Sequence, residues 1–325
     1  MQFTLPSRSI MPPASFEVIT VNGVIAPEAL GITQTHEHIW LNAYDHYKTY
    51  QVVFEDEEIM AQELGEFKKR GGSTIVEVTT KEIGRNPVAL REISRRSGVH
   101  LVMGSGWYRE FAYPPEVQEK SSRELAEDLI HEIECGVGDT GIRPGIIGEI
   151  GTGTKTILPA EERVFRAAAL AQRQTGLAIT THTTRWGTLA MEQIAMLQDF
   201  GADLSKVVIG HLGDRVGVRH LLPIAERGVY IEVDNIGYLD YLPVWVRADN
   251  VAALVKEGFG AQVLLSQDVC QLSHLKYQGG NGYGYLLETF VPMLKERGVT
   301  EEEIHAMLVD NPARMLKRET NRPKP

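Results

Sequence analysis

The chain has 325 residues, 43% of them hydrophobic, enough to bury a large core as two ordinary domains or as one α/β barrel. Its 33 basic and 43 acidic residues give a formal charge of −10, which disfavours nucleic acid and anionic membrane as partners and leaves a small-molecule ligand as the expectation. The two cysteines, Cys135 and Cys270, are too few for a disulfide framework and read as reduced thiols of a cytoplasmic protein, and no run approaches the roughly 18 apolar residues of a membrane span.

Residues 1–20 read as an N-terminal arm, with Pro6, Pro12 and Pro13 where a signal peptide needs an uninterrupted apolar stretch, and 21–325 as one domain. From Gly31 onward, short β-rich runs alternate with amphipathic charged stretches. The spacing predicts strands over 32–39, 73–80, 99–106, 145–151, 177–183, 206–212, 229–235 and 262–268, most of them continuous apolar runs as in buried parallel strands. The segment Glu57 to Arg70 places Ile59, Met60, Leu64 and Phe67 on one stripe and stops at Gly71-Gly72. A last helix opens at Thr300, with Glu303 in capping-box spacing, and is predicted to stop at Asn311-Pro312. Eight βα units in one chain predict a closed (β/α)8 TIM barrel with an N-terminal arm and a C-terminal helix; an open doubly wound sheet is the alternative.

In such a barrel the chemistry sits at the C-terminal ends of the strands. Five of the eight predicted ends carry metal-ligand residue types: His36 and His38, Glu149, His182, His211, and Asp268. His36 and His38 are two apart, so a strand presents both to one face. Taken singly, each residue has an ordinary structural role: a hydrogen-bonded rim histidine, a salt-bridged carboxylate or a turn cap. Together, four imidazoles and two carboxylates exceed the needs of one tetrahedral zinc and suit two ions that share a ligand.

The run Val21-Asn22-Gly23, Thr35-His36-Glu37-His38, Gly148-Glu149-Ile150-Gly151, Thr181-His182-Thr183, Gly210-His211, Ser266-Gln267-Asp268 and Asn311-Pro312 resembles the phosphotriesterase family of the amidohydrolase superfamily. The segments Ser273-His274-Leu275-Lys276 and 279–285 are similar to those of the bacterial phosphotriesterase homology proteins within it. The resemblance implies two divalent ions, zinc by expectation. His36, His38 and Asp268 would hold the more buried ion, His182 and His211 the more exposed one, and Glu149 would bridge them where other family members use a carboxylated lysine. Lys155, in the loop that follows, is the alternative bridge. A homodimer is a further implication. After the seventh strand Asp234-Asn235 stands where the triester hydrolases have Asp-His, which interrupts their proton relay although Asp214 matches the relay aspartate.

The implied chemistry is attack by a metal-bridging hydroxide, with Asp268 as the catalytic base that moves the proton to the leaving group. Trp107, Arg109, Arg185, Arg215 and Lys276 follow predicted strand ends and are the candidate substrate-binding residues, suited to a carboxylate or phosphate. The glycine-rich segment 279–284 reads as a flexible lid or tight turn, and Cys270 as a packed thiol. The expected function is hydrolysis of a lactone or carboxylic ester, with weak or no phosphotriesterase activity. The alternatives are an amidase or deaminase of the same superfamily and a non-catalytic metal-containing ligand-binding protein.

Overall fold

The computed structural model describes residues 15–320. Eight parallel strands, β1 (Ile32–Glu37), β2 (Gly72–Glu77), β3 (His100–Ser105), β4 (Ile146–Gly151), β5 (Ile179–His182), β6 (Val207–Ile209), β7 (Tyr230–Val233) and β8 (Val263–Leu265), lie side by side in chain order. β8 meets β1 across the remaining seam through hydrogen bonds. The Ser266 hydroxyl donates to the His36 carbonyl (2.8 Å), and the His36 and Asp268 amides donate to the Ser266 hydroxyl (2.9 Å) and the His36 carbonyl (3.2 Å). The fully buried Glu37 tightens that seam by accepting from Gln267 N (2.7 Å) and Val269 N (2.8 Å), and its Oε1 lies 2.7 Å from Ser266 Oγ, competing with the His36 carbonyl for the one hydroxyl proton. The expected (β/α)8 barrel is the observed fold.

The helices form where the sequence supplies caps and stripes. Asp56 accepts from the Glu58 and Ile59 amides to start helix Glu57–Lys69, whose buried Met60, Leu64 and Phe67 face the barrel. Met60, Leu64 and Phe67 pack into one apolar cluster on the outer faces of the strands, and Val164, Phe165 and Ile194 on later helices into a second, larger one. A separate apolar plug of Val76, Val102, Ile146, Val208, Tyr230 and Leu264 closes the barrel at the ends where the strands begin, together with Leu30, Met315 and Leu316. The ends where the strands finish are therefore the accessible ones.

Three sequence expectations are corrected. Residues 16–20, assigned to the arm, are a strand (Phe16–Thr20) that forms a hairpin with Gly23–Ile25, pairs with Arg318–Glu319 and hands Val21 N–H to the Leu101 carbonyl (2.9 Å). Residues 1–14 of that arm lie outside the described residues. The last helix keeps its Thr300–Glu303 capping box but does not stop at Asn311-Pro312. It passes through a π-helical segment, Ala306–Asp310, and continues over Asn311–Leu316. The π segment carries the chain past the proline's missing N–H, and buried Asn311 is retained because its amide donates to the Gly260 (2.9 Å) and Val263 (2.8 Å) carbonyls. Third, β6 and β8 end sooner than predicted because His211 (φ 59°) and Asp268 (φ 50°) take left-handed backbone conformations that turn the chain out of the sheet. No helix among the described residues is long and apolar enough to cross a membrane.

Candidate active site

Each barrel strand delivers its side chain by a local device. In β1, three residues run against two of β2 between the pairs Gln34↔Ile75 and Glu37↔Glu77, a bulge that accompanies the inward turn of His36 and His38. A second bulge lies in β4, where Ser105 faces both Ile147 and Gly148, and three residues again oppose two of β5. This bulge pushes the Glu149 peptide into the barrel, and its N–H reaches past β3 to the Val78 carbonyl (3.2 Å). Glycine is required for that approach: a Cβ at Gly104 would collide with the Gly148 carbonyl, and one at Gly148 (φ 117°) with the Thr180 carbonyl.

The six side chains converge. The two Glu149 oxygens divide their neighbours: Oε1 lies 3.5 Å from His38 Nε2, while Oε2 lies 3.5 Å from His36 Nε2, 3.0 Å from His182 Nδ1 and 3.8 Å from His211 Nε2. Asp268 Oδ1 stands 3.4 Å from His38 Nε2 and 3.9 Å from His36 Nε2. Ligands about 2.0–2.2 Å from one tetrahedral zinc are roughly 3.3–3.6 Å from each other; three of these spacings (3.4–3.5 Å) match that range and the others (3.0, 3.8 and 3.9 Å) lie close to it, as a metal centre requires. His36 adds an independent sign. Both of its ring nitrogens are buried without a hydrogen-bond partner, an expensive arrangement for a group that nothing coordinates.

The surrounding groups orient the rings. Thr79 Oγ1 lies 2.8 Å from His38 Nδ1, and Asp234 holds His211 twice, through Nδ1 (3.0 Å) and the backbone N–H (2.8 Å). Both contacts turn Nε2 toward Glu149. Asp234 Oδ2 and the buried Glu232 lie 3.6 and 3.7 Å from His36 Nδ1. Burial by itself lowers the His36 imidazole, but Glu149, Glu232 and Asp234 outweigh it and push it up to about 10. Burial, with His211 alongside, instead pushes His182 down to about 4. Burial raises the Glu149 carboxyl, and the His36, His182 and His211 rings more than reverse this, holding it well below the usual carboxylate range. The centre is short of positive charge, the condition a divalent cation relieves.

A cavity of about 540 Å³ opens above this cluster. His38, Glu149, His182, His211 and Asp268 reach it from below; Tyr47, Tyr108, Trp186, Tyr238 and Tyr241 form aromatic walls, and Arg109 and Arg185 supply cations. Arg109 and Arg185 thus lie where substrate binding was expected. The other three do not. Trp107 is only 5% exposed and packs into the core beneath the loop after β3, facing a separate small cleft. Arg215 points to solvent, its carbonyl fixed by Asn250. Lys276 lies on the outside of the barrel, its amide bound to Glu63 and its Nζ 4.0 Å from Glu66. Each of these three was judged by its distance past a strand end, which does not tell whether a loop turns inward. Lys155 is exposed in the loop after β4, whereas Glu149 is buried among the imidazoles. The segment 279–284 is a tight turn, with Gly280 and Gly282 amides bonded to the Leu275 (2.9 Å) and His274 (2.8 Å) carbonyls.

At the end of β7, Asn235 donates to Asp214 Oδ2 (3.0 Å), whose other oxygen takes Arg247 Nε (2.7 Å). Asp214 is therefore committed to an amide and a guanidinium, and no imidazole lies between it and the metal-type cluster among the described residues. Tyr108 lies in the loop 107–113 that the sequence offers as an aromatic wall; Thr79, Tyr47, Tyr238 and Tyr241 were not singled out from the sequence, and Asp234 only as the neighbour of Asn235. Asp234 carried a usable signal, as an acid at the same strand-end register as the ligands.

Comparison with known proteins agrees with this architecture. The phosphotriesterase family profile matches residues 16–316. The phosphotriesterase homology protein of Escherichia coli K12 is 36% identical over 286 residues, covering 88% of this chain and 98% of that protein. A crystal structure of the Escherichia coli phosphotriesterase homology protein, complexed with phosphate in the active site, superposes with a TM-score of 0.86 and 36% identity, covering 89% of this chain and 99% of that one. Human N-acetyltaurine hydrolase is 32% identical over 344 residues, covering 93% of this chain and 98% of that protein. A lactonase from Listeria monocytogenes is 30% identical with a TM-score of 0.87, covering 92% and 98% of the two chains. By family profile, sequence identity and fold, this chain belongs to the phosphotriesterase family.

Proposed function

We propose that this protein is a metal-dependent hydrolase of a lactone or other carboxylic ester, using two divalent ions, zinc by the nitrogen-rich donor set. The observation that carries the reading is Glu149, whose carboxylate lies 3.0–3.8 Å from all four imidazoles, Oε1 facing His38 and Oε2 facing His36, His182 and His211. His36, His38, Glu149 and Asp268 would hold one ion, and Glu149, His182 and His211 the other. Divalent ions bound there supply Lewis acidity, which polarises a carbonyl and makes water acidic near neutral pH.

The chain's own residues do the rest. Burial raises the Asp268 carboxyl, but His38, His211 and His36 outweigh it and keep it below the usual range, so it is ionised at neutral pH. Asp268 Oδ1 faces His38 and Oδ2 faces the Cys270 thiol at 3.9 Å; Oδ2 would take a proton from the attacking water and return it to the leaving oxygen. The tyrosines and Trp186 exclude water from the acyl group. With Asp214 locked to Arg247 and Asn235, no histidine relay carries the proton to solvent, which supports ester or lactone cleavage over triester hydrolysis. Relatives named as N-acetyltaurine hydrolases and lactonases occur at similar identity, so amide cleavage is the second reading.

A panel of lactones, aryl esters, N-acylated amines and phosphotriesters, assayed with and without a chelator, tests the proposal. Chelator-sensitive turnover concentrated in the lactones and esters supports it. Turnover of the amides alone selects the second reading, and no metal-dependent turnover of any class favours a binding protein.

A further inference from the structure

Five side chains from three separate loops form one stack at the cavity mouth. After β5, the Arg185 guanidinium carbon lies 4.4 Å from the Trp186 ring centroid and 4.6 Å from that of Tyr241, which follows β7. Tyr241 stacks on Tyr238 (4.8 Å, 29° between planes), and Tyr238 meets the edge of His274, which follows β8, at 4.3 Å. Trp186 and Tyr241 keep 47% and 39% of their surface exposed, so the stack stands at the rim and not in the core.

Cation–π contact with two aromatic rings holds the guanidinium but uses none of its N–H groups in hydrogen bonds. Among the described residues, the Arg185 side chain makes no hydrogen bond and has no carboxylate within 4.0 Å, in a protein of net charge −10 that pairs many of its other arginines. Arg109 in the same cavity is similar: its Nε is buried without a partner and its guanidinium lies 5.1 Å from the Phe111 centroid. A guanidinium held against aromatic rings with its N–H donors free is preorganised for an oxyanion.

We propose that the unpaired guanidinium of Arg185, held against Trp186 and Tyr241, is the subsite for an oxyanion carried by the substrate. Carboxylate, sulfonate and phosphate share the required chemistry. The proposal deepens the hydrolase reading and rests on it for the word substrate, whereas the binding site itself stands on the stack alone. Tyr241 links this subsite to Tyr238, whose hydroxyl touches the Cys270 thiol beside Asp268. Arg185 is thus a specificity residue, and Tyr241 a positioning residue for it.

The test pairs 5-oxotetrahydrofuran-2-carboxylate with its neutral N-methylamide as lactone substrates, in the metal-loaded wild type and in Arg185→Gln, Arg185→Lys and Tyr241→Leu. The charged-to-neutral ratio of kcat/KM is expected to fall by about 10- to 100-fold in Arg185→Gln, and by less in Arg185→Lys, which keeps the charge without the planar fork. A second arm titrates glutarate, methanesulfonate and inorganic phosphate against tryptophan fluorescence, with Trp186→Phe isolating the Trp186 signal. Saturable change in the wild type that is lost in Arg185→Gln supports the subsite, and the three anions rank the source. An unchanged ratio in a folded Arg185→Gln, or no anion-dependent Trp186 signal in the wild type, overturns it. If neither lactone is turned over, the lactone reading fails, while the fluorescence arm still decides the subsite.

Discussion

Arg247 offers a quantitative test of how the loop beneath this stack is held. Its side chain is fully buried, donates to Asp214 Oδ1 (2.7 Å), and binds the Tyr238 (3.0 Å) and Leu242 (3.1 Å) carbonyls. Burial pushes Asp214 up to about 6 even with Arg247 beside it. Arg247→Met removes the counter-charge and leaves a buried carboxylate unpaired, which costs about 3–5 kcal/mol. Unfolding entropy of about 2.1 cal/mol/K per residue converts this to a fall in Tm of about 4–7 °C for a chain of this length. The sign with pH follows from the raised acid: the folded state holds the proton longer than the unfolded chain, so stability falls as pH rises from the ordinary aspartate value toward 6. In the variant Asp214 titrates higher still, so the fall extends beyond 6. Calorimetry should find most of the loss at pH 8 and a much smaller one at pH 5, and Asp214→Asn combined with Arg247→Met should recover most of it. A loss of equal size at both values, or a double variant no better than Arg247→Met, would refute the assignment of the cost to an unpaired carboxylate.

Two glycine substitutions should behave oppositely. Gly104→Ala places a methyl against the Gly148 carbonyl and displaces the bulge that carries Glu149, so turnover should fall by at least about 100-fold with a loss of bound metal; wild-type activity in this variant would contradict the bulge account. Gly65→Ala, in the middle of helix Glu57–Lys69 with open space around it, should raise stability by about 0.5–1 kcal/mol in denaturant titration. Asp268→Asn should lower kcat by about 10²- to 10⁴-fold on every substrate the wild type cleaves, and a smaller effect in a metal-replete sample would remove Asp268 as the base. Dialysis against a chelator should abolish turnover and added zinc should restore it, followed by initial rates.

The barrel was legible because buried parallel strands such as 145–151 write continuous apolar runs, and because glycines punctuate the helices between them. The ligand-type residues were legible for a related reason, since strand-end register is a local property. What could not be read depends on partners distant in sequence. Glu37 looks like a spacer between two histidines, and only the fold brings Ser266, Gln267 and Val269 to its carboxylate. Whether a loop cation turns inward is also nonlocal: Arg185 meets Tyr241 across two loops, whereas Arg215 and Lys276 face outward from equivalent positions. The two bulges escaped notice because alternation in sequence assumes an unbroken pleat.

A Glu149 carboxylate that joins two cation sites makes metal content the direct readout. Elemental analysis of the purified protein and of Glu149→Ala, both equilibrated with zinc and freed of excess, should give two ions per chain in the wild type and a clear loss in the variant. One ion in the wild type, or two retained by Glu149→Ala, would contradict it.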